Sequence, residues 1–159
     1  MTERGRALHA TADEQITELI ALISTVDEVA LRVPCPGREK LGDGTVGTVV
    51  RHTADNYQRI TDFVQTGEHS PGAGQPDNEY TAGNIDPGAV IAQLSASRDA
   101  LGRIAALTSR QLDAIPPKDS FRFCDGQRTL EQVIASLLKH QSHQFDALKA
   151  ATLSAPGAA

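Results

Sequence analysis

The sequence predicts an all-α fold, a four-helix bundle with a long crossover loop between its second and third helices. Four stretches carry apolar residues at spacings of three and four, which is typical of amphipathic helices. Two of the three connections between them are short, and one is long. Because 159 residues suffice for one core but not for two, we expect a single domain over residues 1–151 and a frayed tail at 152–159.

The first helix is expected at about 11–33. Thr11 is followed three residues later by Glu14, the pattern of a capping box that starts a helix. Apolar residues then recur at helical spacing until the turn residues that begin at Pro34.

The second helix is expected at about 45–66, where helical spacing resumes after a polar, Gly-rich stretch at 38–44. The segment that follows, 67–85, is rich in Pro and Gly and longer than most connections. We therefore expect it to be a crossover or lid.

The third helix is expected at about 87–107, because Asp86 before Pro87 is typical of an N-cap followed by proline in the first helical turn. Alternation at Phe121–Phe123, just before a turn signal, predicts a short extended piece and one hairpin arm.

The fourth helix is expected at about 129–151. Thr129 and Gln132 have the spacing of a second capping box, and apolar residues follow at helical intervals.

Composition excludes several classes of function. The 15 Lys+Arg are dispersed and outnumbered by 20 Asp+Glu, so nucleic acid is not an expected partner. No apolar run approaches a membrane span, and the N-terminus lacks the apolar core of a signal peptide. Two cysteines do not make a disulfide framework. The sequence therefore predicts a cytoplasmic protein, with no membrane and no nucleic acid among its partners.

Three histidines lie in the second and fourth helices, near their apolar faces. On a helical wheel with Val46 at 0°, which belongs to the second helix's apolar stripe, His52 and Asn56 fall at about −120° and −80°. On the fourth helix, His140 and Gln144 fall at about −80° and −40°, and His143 at about −140°. We expect the flanks that carry these side chains to face each other, as in bundles that build sites from facing helices.

Imidazoles from two helices are suited to a divalent metal. Zinc in catalytic sites takes three protein ligands and keeps one open position. His52, His140 and one of His143 or Gln144 satisfy that count, and the residues alone leave the choice open. An amide oxygen is a poorer zinc ligand than imidazole, so Gln144 would imply weaker binding or a harder metal, and nickel is an alternative.

The turn at Pro34–Gly37 and the helix start at Thr45–His52 resemble those of the DinB/YfiT superfamily, which includes relatives of the N-terminal domain of mycothiol-dependent maleylpyruvate isomerase. The resemblance covers most of the chain in helix order and is most specific at 34–57 and 129–148. It implies a four-helix bundle with a divalent metal at one end, held by His52 and a pair of ligands on the last helix. It also implies activity towards low-molecular-weight thiols and homodimerisation.

The chain departs from the family pattern in two places. It has no tryptophan after the proline-rich turn, and the last-helix ligand pair reads His140 and Gln144, with His143 next to the second position. Two functions follow as expectations. The first is a metal-dependent transferase or isomerase that uses a mycothiol-type thiol and a small-molecule substrate, with Asn56 orienting substrate or ligand. The alternative is a non-catalytic binding bundle whose metal site has degenerated.

Overall fold

The computed structural model describes residues 2–66 and 85–153, and this part of the chain contains helices, turns and one isolated bridge but no strand. The predicted all-α class is therefore confirmed. The helices are α1 (Glu3–Thr25), α2 (Glu28–Leu31), α3 (Val46–Thr66), α4 (Pro87–Ala100), α5 (Gly102–Ala105), α6 (Ser109–Asp113) and α7 (Leu130–Leu153).

The four longer helices enclose the core. Helices α1 and α3 each pack against both α4 and α7, so that the apolar face of every long helix is covered by two others. Side chains at the centre of this core include Ile16, Leu94, Ile134 and Leu137, none of them more than 1% exposed. None of the described helices is both long and apolar enough to cross a membrane.

The predicted bounds of the first helix were wrong at both ends. Helix α1 begins at Glu3, where the Thr2 side chain accepts a hydrogen bond from the Gly5 amide. Thr11 lies inside the helix, and its hydroxyl donates to the Ala7 carbonyl. The helix ends at Thr25, before the short α2. Local capping signals compete along this segment, and packing of the N-terminal turn against α5 favours the earlier start.

The other three helices were predicted more closely. Helix α3 matches its predicted range to within a residue, and α7 continues past the predicted end at 151. The Thr129 and Gln132 capping box forms as predicted, with hydrogen bonds of 3.2 and 2.9 Å. The predicted third helix is divided at Leu101 into α4 and α5.

Two local predictions need correction. The piece at Phe121–Phe123 is not a hairpin arm: it forms turns, and Phe123 has a left-handed φ of 70°. The Phe121 ring instead stacks on Phe63, with centroids 4.8 Å apart. Helix α6 was not predicted, although Thr108 and Gln111 form a capping box at its start.

The predicted crossover at 67–85 lies outside the described residues except for its last residue. The predicted tail lies outside them from 154 onward, and its first two residues belong to α7.

The connection between α2 and α3 folds back on itself and brings a loop to the end of α7. Cys35 N–H donates to the Gly44 carbonyl at 2.7 Å, and Val46 N–H donates to the Val33 carbonyl at 2.9 Å. Gly44 has a φ of 72°, a conformation that favours glycine. These bonds hold the turn that carries Arg38 in place.

Gly5 marks the closest approach of α1 to α5, and its replacement is expected to destabilise the protein. A Cβ on Gly5 would lie 2.7 Å from the Ile104 carbonyl oxygen, so Gly5→Ala should lower the unfolding free energy by about 1–3 kcal/mol. Gly102→Ala is the matched control, because a Cβ there meets no atom within 4 Å. Urea unfolding of both variants checks this, and equal stability of the two would contradict it.

Candidate functional site

A cavity of about 610 Å³ opens where the loop between α2 and α3 meets α7. We call it the histidine pocket. Its lining comes from the turn at 37–41, from α3, from the loop before α7 and from α7 itself. The lining residues are Gly37, Arg38, Glu39, Lys40, Leu41, His52, Arg122, His140 and Gln144.

The two imidazoles of the pocket lie close together. His52 is 2% exposed, and its Nδ1 atom is enclosed by protein. His140 is half-buried, and its ring meets that of His52 edge to face, with centroids 6.2 Å apart and planes at 83°. The sequence-based prediction that α3 and α7 direct these residues towards each other agrees with this arrangement.

A buried chain of hydrogen bonds supports His52. The Nε2 atom of His52 lies 3.3 Å from the Nδ2 atom of Asn56, one helical turn further along α3. Asn56 Nδ2 also donates to Gln141 Oε1 at 3.1 Å, and Gln141 Nε2 donates to the Thr53 carbonyl at 2.7 Å. All four residues are 2% exposed or less, so the chain is shielded from water.

A second, similar contact supports His140. Its Nε2 atom lies 3.4 Å from the Nε2 atom of Gln144, again one turn further along the helix. The Oε1 atom of Gln144 accepts a hydrogen bond from Arg38 Nε. Arg38 Nη1 donates to the Gly37 carbonyl at 3.0 Å, so the guanidinium is held by two neutral oxygen atoms.

Positive groups dominate the pocket. Among the described residues that line it, Arg38, Lys40 and Arg122 are positive and Glu39 alone is a carboxylate. Burial lowers the pKa of His140 to about 4, and the charges of Arg122 and Arg38 act in the same direction. The His140 imidazole is therefore neutral near pH 7.

The loop before α7 supplies one side of the pocket. The Phe123 ring lies 6.2 Å from the His140 ring, and the Arg122 guanidinium lies 5.4 Å from the Phe123 ring centroid. Phe123 adopts its left-handed φ at this point. A bulky residue in that conformation is uncommon, and such strain clusters at functional sites.

The structure brings together most of the residues singled out in the sequence. His52, His140 and Gln144 line the pocket, and Asn56 lies behind His52. His143 is exposed and is not among the lining residues.

Three contributors were not predicted: Arg38, Arg122 and the buried Gln141. The first two come from loops, where no periodicity marks an inward position. Gln141 carried a usable signal, because it lies one residue from His140 on the core side of α7.

The contacts of the two histidines and Gln144 bear on the predicted metal centre. Within residues 2–66 and 85–153, no group of three or more His, Cys, Asp or Glu side chains is placed to hold a metal ion. Each pocket histidine directs its Nε2 atom to an amide nitrogen, and Gln144 Oε1 accepts from a cation. The donor set as arranged does not fit a divalent metal, because two imidazole lone pairs and the amide oxygen are engaged elsewhere.

Comparisons of the chain with models of protein families, with curated proteins and with solved structures gave no significant match.

The stability of the protein is expected to fall on acidification because of His140. Its pKa is lowered from 6.5 to about 4 in the folded protein. Between these values the unfolded chain binds a proton that the folded protein does not, so stability is retained above pH 6.5 and decreases as the pH falls towards 4. The variant His140→Gln should show a smaller decrease. Urea unfolding at several pH values, with a chelator present, checks this, and identical pH profiles would contradict it.

Proposed function

We propose that the histidine pocket binds a small anionic molecule, so that the protein acts as a binding module for an acidic metabolite. The observation that supports this most is the state of Arg38. Its guanidinium lines the pocket, is held in place by two neutral acceptors, and forms no ion pair with a carboxylate among the described residues.

A guanidinium held in this way is prepared for an anion. Arg is always charged and offers five N–H donors in a planar array, of which the two bonds to Gln144 and Gly37 use only part. Lys40 and Arg122 add positive charge around the same cavity. Hydrogen bonds between charged partners are about twice as strong as neutral ones, so an entering anion gains most from Arg38.

The test is a titration with inorganic phosphate and, separately, with acetate, followed by NMR chemical shifts. Arg38→Gln is expected to weaken binding by about tenfold or more, because a charge-assisted hydrogen bond contributes about 1.5–3 kcal/mol. Arg103→Gln is the matched control, since Arg103 is exposed on α5, outside the lining of the pocket. Equal affinities in the two variants, or no binding to wild type, would contradict the proposal.

The proposal also includes the fold family of this all-α protein. The packing of α1 and α3 on α4 and α7 supports a single DinB-like four-helix bundle, and the pocket contains His52 and His140, to which the resemblance assigns the site. A small-molecule ligand, a homodimer and a cytoplasmic location complete the proposal. Nucleic acid is not expected as a partner, since the net charge is −5.

A second candidate is the metal-dependent thiol transferase or isomerase of the mycothiol type. The 6.2 Å separation of the His52 and His140 rings favours it, because two imidazoles from facing helices are already adjacent. The amide contacts described above would have to be broken before zinc or nickel bound there. Elemental analysis of untagged wild-type protein distinguishes the candidates: about one divalent ion per chain supports the enzyme, and none supports the binding module.

A further inference from the structure

We propose that Asn56 and Gln144 are positioning residues that hold both pocket histidines as the neutral tautomer protonated on Nδ1, and that the pocket thereby selects an anion through oxygen atoms that carry no proton. Carboxylates and phosphates both present oxygen atoms of this kind. This inference rests on the proposed anion-binding function and narrows its ligand class.

The orientation of the amides next to His52 depends on a backbone carbonyl. The Thr53 carbonyl only accepts hydrogen bonds, so the side chain 2.7 Å away must present its amide nitrogen, which orients Gln141. The Oε1 atom of Gln141 then accepts from Asn56, which places the Asn56 NH2 group against His52 Nε2. An NH2 group only donates, so His52 Nε2 accepts and the ring proton resides on Nδ1.

The orientation of the amide next to His140 depends on a cation. The guanidinium of Arg38 only donates, so Gln144 presents Oε1 to Arg38 Nε. The NH2 group of Gln144 is thereby directed to His140 Nε2, 3.4 Å away. This atom must also accept, so His140 carries its proton on Nδ1 when it is neutral.

The opposite tautomer, which carries the proton on Nε2, conflicts with the hydrogen bonds around each of the two histidines. Protonation of His52 on Nε2 would require Asn56 and then Gln141 to turn, which would bring the Gln141 oxygen against the Thr53 carbonyl oxygen. Protonation of His140 on Nε2 would turn the NH2 group of Gln144 towards Arg38. The first change puts like groups together in a site shielded from water, where an unsatisfied buried polar group costs about 1–3 kcal/mol, and the second puts two donors together in a part-buried site.

The ligand class follows from which polar groups remain. Once both Nε2 atoms accept from amides, neither imidazole has a lone pair left for a ligand. His52 Nδ1 is enclosed by protein, so a polar hydrogen that an imidazole offers to a ligand comes from His140. Arg38, Lys40 and Arg122 also only donate. A carboxylate or phosphate oxygen, which only accepts, complements this arrangement. Amines and metal cations need acceptors, and among the described side chains that line the pocket only Glu39 supplies one that is not already used by Arg38.

The test is the long-range 1H–15N NMR spectrum of the histidine rings in chelator-treated protein at pH 8, assigned with His52→Gln and His140→Gln. We expect the Nδ1 signals of both residues in the protonated range and the Nε2 signals in the unprotonated range. An Nε2–H signal from either residue overturns the inference.

The variant Gln144→Glu tests the positioning role directly. A carboxylate at this position pairs with Arg38 and accepts a proton, so His140 should change to the Nε2–H tautomer while His52, the internal control, does not. A purely structural role for Gln144 predicts no change of tautomer. The variant should also bind phosphate at least tenfold more weakly than wild type.

The two proposals fail in different ways. If the NMR spectrum shows the predicted tautomers but neither phosphate nor acetate binds, the anion-binding function and the ligand selectivity based on it are overturned. Anion binding with the other tautomer at His52 or His140 would overturn only the inference about the amides.

Discussion

The variant Gln144→His is expected to bind about one zinc ion per chain, and more tightly than the wild-type protein, because it adds a third imidazole ligand. Gln144 lies one helical turn from His140, and the Nε2 atoms of the two side chains are 3.4 Å apart. An imidazole in place of the amide would remove the donor that occupies His140 Nε2. Together with His52, whose Nε2 atom zinc would take from the Asn56 amide, it would complete the three-imidazole set of zinc sites that keep an open position.

This prediction is checked by elemental analysis and by titration with a zinc indicator, using protein without a histidine tag. Gln144→Leu is the matched control, because it removes the same amide donor without adding a ligand. The acquired zinc should be lost again when His52→Ala is combined with Gln144→His. If Gln144→His held no more zinc than Gln144→Leu, the two pocket histidines would not be placed to share a metal.

The variant Gln141→Leu is expected to lower the unfolding free energy by about 2–3 kcal/mol. Gln141 is fully buried and connects α7 to the Thr53 carbonyl and to Asn56 on α3. A leucine of similar size would leave both of those polar groups without this partner inside the protein. The loss is measured by urea unfolding, with Gln127→Leu at an exposed position as the control, expected to lie within about 0.5 kcal/mol of wild type.

A double-mutant cycle separates this hydrogen bond from packing. When Asn56→Leu is added to Gln141→Leu, the second change should cost less than Asn56→Leu alone, because both partners of the bond are then apolar. Additive losses would show that Asn56 and Gln141 do not interact in the folded protein.

Much of the helical framework follows from the sequence by itself. Apolar periodicity is a local property, so it located α3 and α7 closely, and the wheel positions of His52, His140 and Gln144 were enough to predict that they meet. Capping pairs are also local, and the one at Thr129 formed as predicted.

The same local signals failed where several compete. The Thr11 pattern gave the wrong start for α1, because Thr2 also caps a helix and the first turn of α1 packs on α5. The alternation at Phe121–Phe123 predicted an extended piece. In the structure this segment forms a turn instead, and the Phe121 ring stacks on Phe63 of α3. Contacts with distant elements decided both cases, and their energies do not appear in a short window of sequence.

The chemistry of the pocket was decided by tertiary structure. Arg38 reaches α7 only because the backbone bonds around Gly44 fold its loop back, and no periodicity in the loop signals this. The orientation of the amides of Asn56 and Gln144 depends on partners more than 80 residues away in the chain. The sequence by itself determined that two histidines and a glutamine lie on the polar flanks of the second and fourth helices, beside their apolar stripes. Hydrogen-bond donors and acceptors from other elements determined which of their atoms remain available, because each such atom has a limited capacity for hydrogen bonds.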